Sequence, residues 1–299
     1  HRKRFPDTAL VAAYMTDFPT VYVERPFSKF LGRTVGSAAS RLCYRYCGSL
    51  FHRFDSVFAL SENGGAAKLR DMGVPNVDVV GLGVELGDFG PSRRDPRLRL
   101  SLGLNDRQPL LIYVGRLDIE KRPDVVVDAF RRLPESLGAR LVLLGEGPLR
   151  QQIGELGDNR ISMPGYVRDR GDLARWLASA DIYVSAMADE TFGISIIEAQ
   201  ASGLPVVGVA AGAMIDRVPT HSGLLGPVGD SETMAANILA VWNGDRASMA
   251  DCAVQEARQY SWDKSMEALF GRVYPGALGR RTAHPPQPSV AASTPLARA

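Results

Sequence analysis

Cysteine is scarce in this chain, and so is any imbalance of charge. Cys43, Cys47 and Cys252 are the three cysteines in 299 residues. A sparse, odd set excludes a disulfide-stapled scaffold and fits a reducing compartment. Cys43 and Cys47 stand one helical turn apart with only His52 near them as a further metal ligand. Small buried packing groups are therefore expected there rather than a metal site. The formal net charge of +2 lacks the basic excess of a nucleic-acid binder. No apolar run approaches the roughly 20 residues that cross a bilayer. No signal peptide is visible, although the sequence opens at His1 rather than at a methionine.

What is present is a globular composition, 45% apolar and 23% charged, in a length that can hold one large core or two moderate ones. Short runs rich in Val, Ile and Leu predict strands at 10–16, 56–60, 78–82, 110–115, 140–145, 181–186 and 205–210. Several lack polar alternation, as strands covered on both faces do. Between them, residues 124–133, 171–180 and 232–242 carry apolar side chains at helical spacing. Strand–helix–strand repetition predicts an α/β fold of doubly wound parallel sheets. Residues 86–109 are turn-rich and charged and suit a link between two lobes with a short helix. Residues 1–89 then form a partial first lobe and 90–275 a second, nearly complete one. The Pro/Ala/Ser-rich residues 276–299 are expected to be disordered.

Chemistry concentrates at two strand ends. In "YVGRLDIEKRPD", residues 113–124, an apolar strand ends at Gly115, and Arg116 and Lys121 follow just before a helix. Ligands in open α/β sheets sit beyond the carboxyl ends of strands, and two cations beside a helix N-terminus make an anion pocket. Ordinary surface charge is the competing account, since Asp118 and Glu120 can pair with both. In "MADETFG", residues 187–193, Glu190 lies in the loop after the predicted strand 181–186, and a helix from about Ile194 carries Glu198 one turn in. A carboxylate accepts from two hydroxyls, so Glu190 suits a sugar and Glu198 a ribose diol. The competing account is a solvated loop and a helix-surface acid.

The whole string, Glu190, "TFGISII", Glu198 and then "AQASGLPVVG", resembles the retaining, nucleotide-sugar-dependent glycosyltransferases of the GT-B fold, in the large Glu-x7-Glu group. The match extends to "VGRLDIEKRPD", "LVLLGEGP", "GAMIDRV", "SGLLGPVGD" and "YSWDKSMEALFGRVY", and in the first lobe to "FALSENGGAAKLRDMGV" and "VVGLGVELGDFGP". It covers about residues 8–275. The resemblance implies two Rossmann-type lobes, the first lacking its front portion with the usual glycine-rich loop. It implies that Arg116 and Lys121 bind the donor diphosphate and act in catalysis with Glu190, which contacts the transferred sugar. Gly115, Phe192, Gly193 and Ile194 would line the donor site, Tyr166 and Val167 would lie near the base, and Glu198 would hold the ribose. The family often places a histidine in the first lobe, where "AAYMTDFPTVYVE" has Met15 and Asp17; Asp17 is a candidate acceptor-side contact or a turn former. "GAMIDRV" has Asp216 where the family often has Glu.

The expected activity is hexosyl transfer, with mannose or glucose favoured, from a GDP-mannose or UDP-glucose type donor to a lipid or glycan acceptor with retention. No covalent nucleophile is required, and no cofactor or essential metal is expected. Asp169 and Asp172 in "RDRGD" begin a helix and suit capping rather than metal binding. A non-catalytic nucleotide-sugar binder is the alternative. A phosphorylase of the same fold would want a pyridoxal-binding lysine deep in the second lobe, but Lys121 and Lys264, its only two, both stand at helix starts. The expected setting is cytoplasmic. Residues 28–54 mix Lys29, Arg33, Arg41, Arg45 and Arg53 with Leu, Tyr and Phe, a pattern open both to an anionic leaflet on the membrane's inner face and to lobe packing with a solvated basic side.

Overall fold

The structure, a computed structural model, describes residues 4, 5 and 7–283. Its strands are β1 (Val11–Tyr14), β2 (Ser56–Ala59), β3 (Val77–Val79), β4 (Leu110–Val114), β5 (Arg140–Leu144), β6 (Ile161–Gly165), β7 (Ile182–Val184), β8 (Val206–Val209) and β9 (Gly223–Gly226). The first three form one parallel sheet in the order β1-β2-β3, and the rest form a second in the order β6-β5-β4-β7-β8-β9. Counted within its own lobe, the second sheet runs 3-2-1-4-5-6, the dinucleotide-binding order, which reverses direction between β4 and β7.

The helices are α1 (Arg25–Leu31), α2 (Arg33–Phe51) and α3 (Ala67–Asp71) in the first lobe, and α4 (Pro96–Ser101), α5 (Pro123–Arg131), α6 (Arg150–Gly154), α7 (Arg170–Ser179), α8 (Ile194–Ala201), α9 (Ala213–Arg217), α10 (Ser231–Asn243) and α11 (Arg246–Ala257) in the second. The described residues end in α12 (Trp262–Ala268) and α13 (Tyr274–Ala283). Pro123 opens α5 where its missing N–H costs nothing. Asp169 caps α7 by accepting from the Asp172 amide, as expected of a capping acid.

The unbroken apolar runs are explained by burial on both faces. In β4, Leu110 and Ile112 join a core with Leu177, Ile196 and Ile197, while Leu111 and Tyr113 join the opposite core with Val126, Phe130 and Ile238. All four β4 side chains are buried, so the period-2 alternation divides two cores rather than core from water. The first lobe has a smaller core around Tyr14, Val57, Ala59 and Leu69.

The linking segment is fastened to the second lobe. Arg99 of α4 is buried and donates to the Asp181 carboxylate at 2.8 Å, while the Asp95 amide donates to the Ser179 hydroxyl at 2.9 Å. The C-terminal helices return to the first lobe: Ser265 donates to the Gly81 carbonyl, Arg272 to that of Val79 and Arg280 to that of Asp55. Two elements differ from the sequence expectation. β6 and β9 were not foreseen, because "ISMPG" contains proline and "GLLG" only two large apolar residues. The disordered tail does not begin at 276, since α13 continues to Ala283, carried by its packing on the first lobe; residues 284–299 lie outside the described residues.

Candidate active site

The reversal between β4 and β7 leaves a crevice beyond their carboxyl ends. The loop after β4 carries Arg116 and Lys121; the loop after β7 carries Glu190. The two loops meet where Lys121 Nζ lies 3.1 Å from Glu190 Oε2. A cavity of about 540 Å³ is lined by Val114, Gly115, Lys121, Glu190, Phe192, Gly193, Ile194 and Glu198, with Met15, Thr16, Leu60 and Leu82 facing them from the first-lobe side and linker. An adjoining cavity of about 450 Å³ shares Val114, Gly115 and Lys121 and adds Arg116, Tyr166 and Val167. The ten second-lobe residues singled out from the sequence therefore line two contiguous hollows.

Their individual geometries differ. Glu190 Oε1 accepts from the backbone amides of Gly193 at 3.1 Å and Phe192 at 3.4 Å, so the carboxylate also braces its own loop. Gly193 has φ +84°, the left-handed region that glycine enters without penalty, and a Cβ there would come within 2.6 Å of Ile196. This bend starts α8 with no side-chain cap, leaving its N-terminal amides directed at the crevice. Arg116 bears out part of the surface-charge account: its side chain is 66% exposed and pairs with Asp118 at 2.8 Å and Glu120 at 3.0 Å. Glu198 is buried, accepting from Arg170 at 3.3 Å. Burial raises its pKa above the ordinary carboxylate value, and Arg170 opposes that rise. Tyr166 is exposed and Val167 half-buried.

Asp17 requires a correction. It is not among the residues lining the cavity; it lies beneath the loop that follows β1, almost fully buried. Its carboxylate accepts from Lys68 at 2.6 Å, from Tyr44 at 2.7 Å, from Tyr14 at 3.1 Å and from the Thr20 amide at 3.4 Å. Burial alone would raise its pKa, but hydrogen bonds from Lys68 and Tyr44 outweigh it and hold the carboxyl below the usual value. Asp17 anchors the loop that presents Met15 and Thr16, which takes the place of the acceptor-side contact.

Several supporting residues went unrecognised in the sequence. Arg217 is buried and donates to the carbonyls of Phe192 at 2.9 Å and Leu60 at 3.0 Å and to the Tyr260 hydroxyl at 2.9 Å. Its guanidinium lies 4.7 Å from the Phe192 ring centre and 4.3 Å from that of Tyr260. One side chain thus joins the donor loop, the first lobe and the segment before α12. Tyr113 donates to the Arg116 carbonyl at 2.7 Å. Further bonds tie the second lobe to the first: at the Glu190 loop Ser61 donates to the Thr191 carbonyl and Thr191 to that of Met15, and at α9 Asn63 donates to the Asp216 carboxylate. Gly64 permits this approach, since a Cβ there would sit 2.8 Å from the Glu190 carbonyl oxygen. "RV" and "SENGG" carry no local pattern that distinguishes such roles; only the pairing of distant loops reveals them.

Residues 108–243 match the family model described as Glycosyl transferases group 1. The chain is 31% identical over 287 residues to a GDP-mannose-dependent alpha-mannosyltransferase of Mycobacterium tuberculosis (strain CDC 1551 / Oshkosh), covering 94% of this chain and 70% of that one. It is 31% identical over 212 residues to the GDP-mannose-dependent alpha-(1-6)-phosphatidylinositol dimannoside mannosyltransferase of M. tuberculosis (strain ATCC 25177 / H37Ra), covering 70% of this chain and 55% of that one. The chain thus spans little more than half of that second relative. In fold it resembles Anabaena Alr3699/HepE in complex with UDP and glucose, with a TM-score of 0.68 at 22% identity over 88% of this chain and 71% of that one. Two parallel α/β lobes, a crevice at the strand-order reversal and identity carried along nearly the whole chain converge on one assignment: the chain belongs to the group 1 glycosyl transferases of the GT-B type.

Proposed function

We propose that this chain transfers a hexosyl group, mannose or glucose, from a nucleotide-diphosphate sugar to a lipid or glycan acceptor with retention at the anomeric carbon. The observation that carries this reading is the meeting of Lys121 and Glu190 across the β4/β7 reversal, in a cavity that also holds Glu198. In this reading Arg116 and Lys121 bind the diphosphate and offset the charge that grows on it as the bond from the anomeric carbon to the phosphate oxygen breaks. The uncapped start of α8 adds backbone donors to the same task. The acceptor hydroxyl attacks from the face the phosphate leaves, and its proton passes to the departing phosphate oxygen. Glu190 faces the transferred sugar, and Glu198 receives the ribose hydroxyls. GDP-mannose heads the donor candidates, because two of the relatives are named for it.

A fixed donor aimed at a leaving group contributes about 3 kcal/mol of barrier lowering; on this reading Lys121, held by Glu190, and the first amides of α8 are such donors, the exposed Arg116 adds a more mobile charge, and no divalent ion is needed. Radiolabelled transfer from GDP-mannose and UDP-glucose, with calorimetric binding of the same donors, tests the reading. Glu190→Ala is expected to abolish transfer and leave nucleotide affinity within a few-fold, and wild-type turnover is expected to survive chelator. Donor binding by the wild-type chain without turnover would instead favour a non-catalytic nucleotide-sugar binder. Unchanged turnover of Glu190→Ala would remove that residue from the site.

A lipid acceptor also places the enzyme at a membrane face. Among the described residues no helix is long and apolar enough to cross a membrane. On α1 and α2, however, Phe30, Leu42 and Tyr46 are each about two-thirds exposed or more, beside the exposed Lys29, Arg33, Arg41 and Arg45. This supports peripheral contact with an anionic leaflet, on the inner face of the membrane for a cytoplasmic enzyme. Sedimentation with phosphatidylglycerol vesicles is expected at low salt and lost at high salt or in Arg41→Glu/Arg45→Glu; equal binding to neutral vesicles would exclude it.

A further inference from the structure

The mechanism gives Glu198 a task but not the residue beside it. Arg170, in the first turn of α7, reaches the carboxylate from outside the cavity: Nη2 lies 3.3 Å from Glu198 Oε1. Among the described residues no other hydrogen-bond donor reaches the Glu198 carboxylate, which lines the donor cavity, so Oε2 remains for a ligand. The same guanidinium is held by the segment that links the lobes. Nη2 donates to the Glu85 carbonyl at 3.4 Å, Nε lies 3.5 Å from the Asp88 carboxylate, and the group stacks 5.0 Å from the centre of the Phe89 ring. A buried acid with one cationic partner takes its orientation from that partner. Here the partner takes its own position from the linker.

We propose that Arg170 is a positioning residue for ribose recognition: it turns one oxygen of Glu198 into the donor cavity and, through Asp88 and Phe89, makes that orientation depend on the interlobe linker. The inference rests on the assignment of Glu198 to the ribose. Its signature is a change in how strongly the chain distinguishes a ribose from a dideoxyribose, with the rest of nucleotide binding left alone.

Titration calorimetry with GDP and its 2′,3′-dideoxy analogue, and with UDP and its analogue in parallel, measures that distinction. The wild-type chain is expected to prefer the ribonucleotide by about tenfold or more, the increment of hydrogen bonds to a charged acceptor. Arg170→Gln should reduce the preference to within about threefold while dideoxy affinity and melting temperature stay unchanged. Arg170→Lys should recover part of it, and Asp88→Asn should give an intermediate loss. A wild-type preference in Arg170→Gln overturns the proposal, as does a parallel fall in dideoxy affinity, which would mark a general structural role. Glu198→Gln separates the two levels. If it abolishes the preference and Arg170→Gln does not, the ribose assignment stands and the positioning role falls. If wild type and Glu198→Gln show no preference for ribose, the assignment itself fails, and the proposal with it.

Discussion

Two buried carboxylates, one in each lobe, have opposite surroundings. Asp17 in the first lobe is enclosed by four donors, and its pKa is held below the ordinary value. The Glu198 carboxylate in the second lobe has, among the described residues, the single partner Arg170, and burial raises its pKa. The two are similarly inaccessible, at 1% and 5% exposure, so burial does not separate them; the number of satisfied lone pairs does. A carboxylate whose acceptor capacity is filled by the fold is an anchor. One left with unused capacity beside a cavity is prepared for donors that the fold does not supply. The same rule sorts the two acids of the second lobe: Glu190 gives one oxygen to its own loop amides and the other to Lys121, and so stands between anchor and ligand.

Substitution breaks the comparison most sharply at Asp17. Asp17→Ala removes the acceptor shared by three side-chain donors, leaving Lys68 and the buried Tyr14 hydroxyl without it and the Tyr44 hydroxyl with Thr20 alone. The chain is expected to lose about 3 kcal/mol of stability, seen as a lower urea midpoint. The loss should fall on the first lobe, whose core around Tyr14 and Leu69 is small. Glu198→Gln removes a charge that the fold disfavours and takes one partner from the half-exposed Arg170, which keeps Asp88, the Glu85 carbonyl and the Phe89 ring. Its stability is expected to stay within about 1 kcal/mol of wild type. Equal destabilisation by the two substitutions would mean that both acids serve the fold, and the distinction between anchor and ligand group would collapse.

The sequence spoke unevenly about these positions. Strand runs and helical spacing suffice for the second lobe because both faces of its sheet are covered, as β4 shows, and a doubly buried strand has a pattern that needs no context. β6 and β9 lie at the two edges of that sheet, where less burial is demanded, so "ISMPG" and "GLLG" carry too little apolar signal. Lys121, Glu190 and Glu198 were singled out by their places at strand ends and helix starts together with the resemblance of the strings around them, and the structure brings all three to one cavity. Arg170, Arg217 and Lys68 were not, since each acts by reaching a residue distant along the chain, and nothing local to an arginine or lysine tells which carbonyl or carboxylate it will meet. Asp17 misled for the same reason: a polar residue just after a strand suits a site or an anchor equally until Tyr44 and Lys68 are seen to enclose it.

Acid titration sharpens the contrast with the smallest effect and the clearest sign. Asp17 has a folded pKa below its unfolded one, so its contribution is present above the unfolded value and is lost as pH falls through the folded value. Glu198 has a folded pKa above its unfolded one, so the folded state holds the extra proton. Its contribution is present below the unfolded value and is lost as pH rises through the folded value. The two slopes oppose each other near the ordinary carboxylate range, and removing either acid should expose the other. Urea midpoints measured from pH 3 to pH 6 are expected to fall more steeply with acid in Glu198→Gln than in wild type. Ribonucleotide affinity should weaken in wild type as the pH falls through the raised value, because protonation halves what the carboxylate offers to a diol. The groups facing Glu198 are the Arg170 guanidinium from α7 and the Tyr183 hydroxyl from β7. Burial raises the pKa of the Tyr183 phenol further above this range, and the difference between wild type and Glu198→Gln isolates the glutamate. A Glu198→Gln chain with the wild-type acid profile would show that the glutamate keeps its ordinary proton affinity despite its burial, and Arg170 would then be a sufficient counter-charge rather than a partial one.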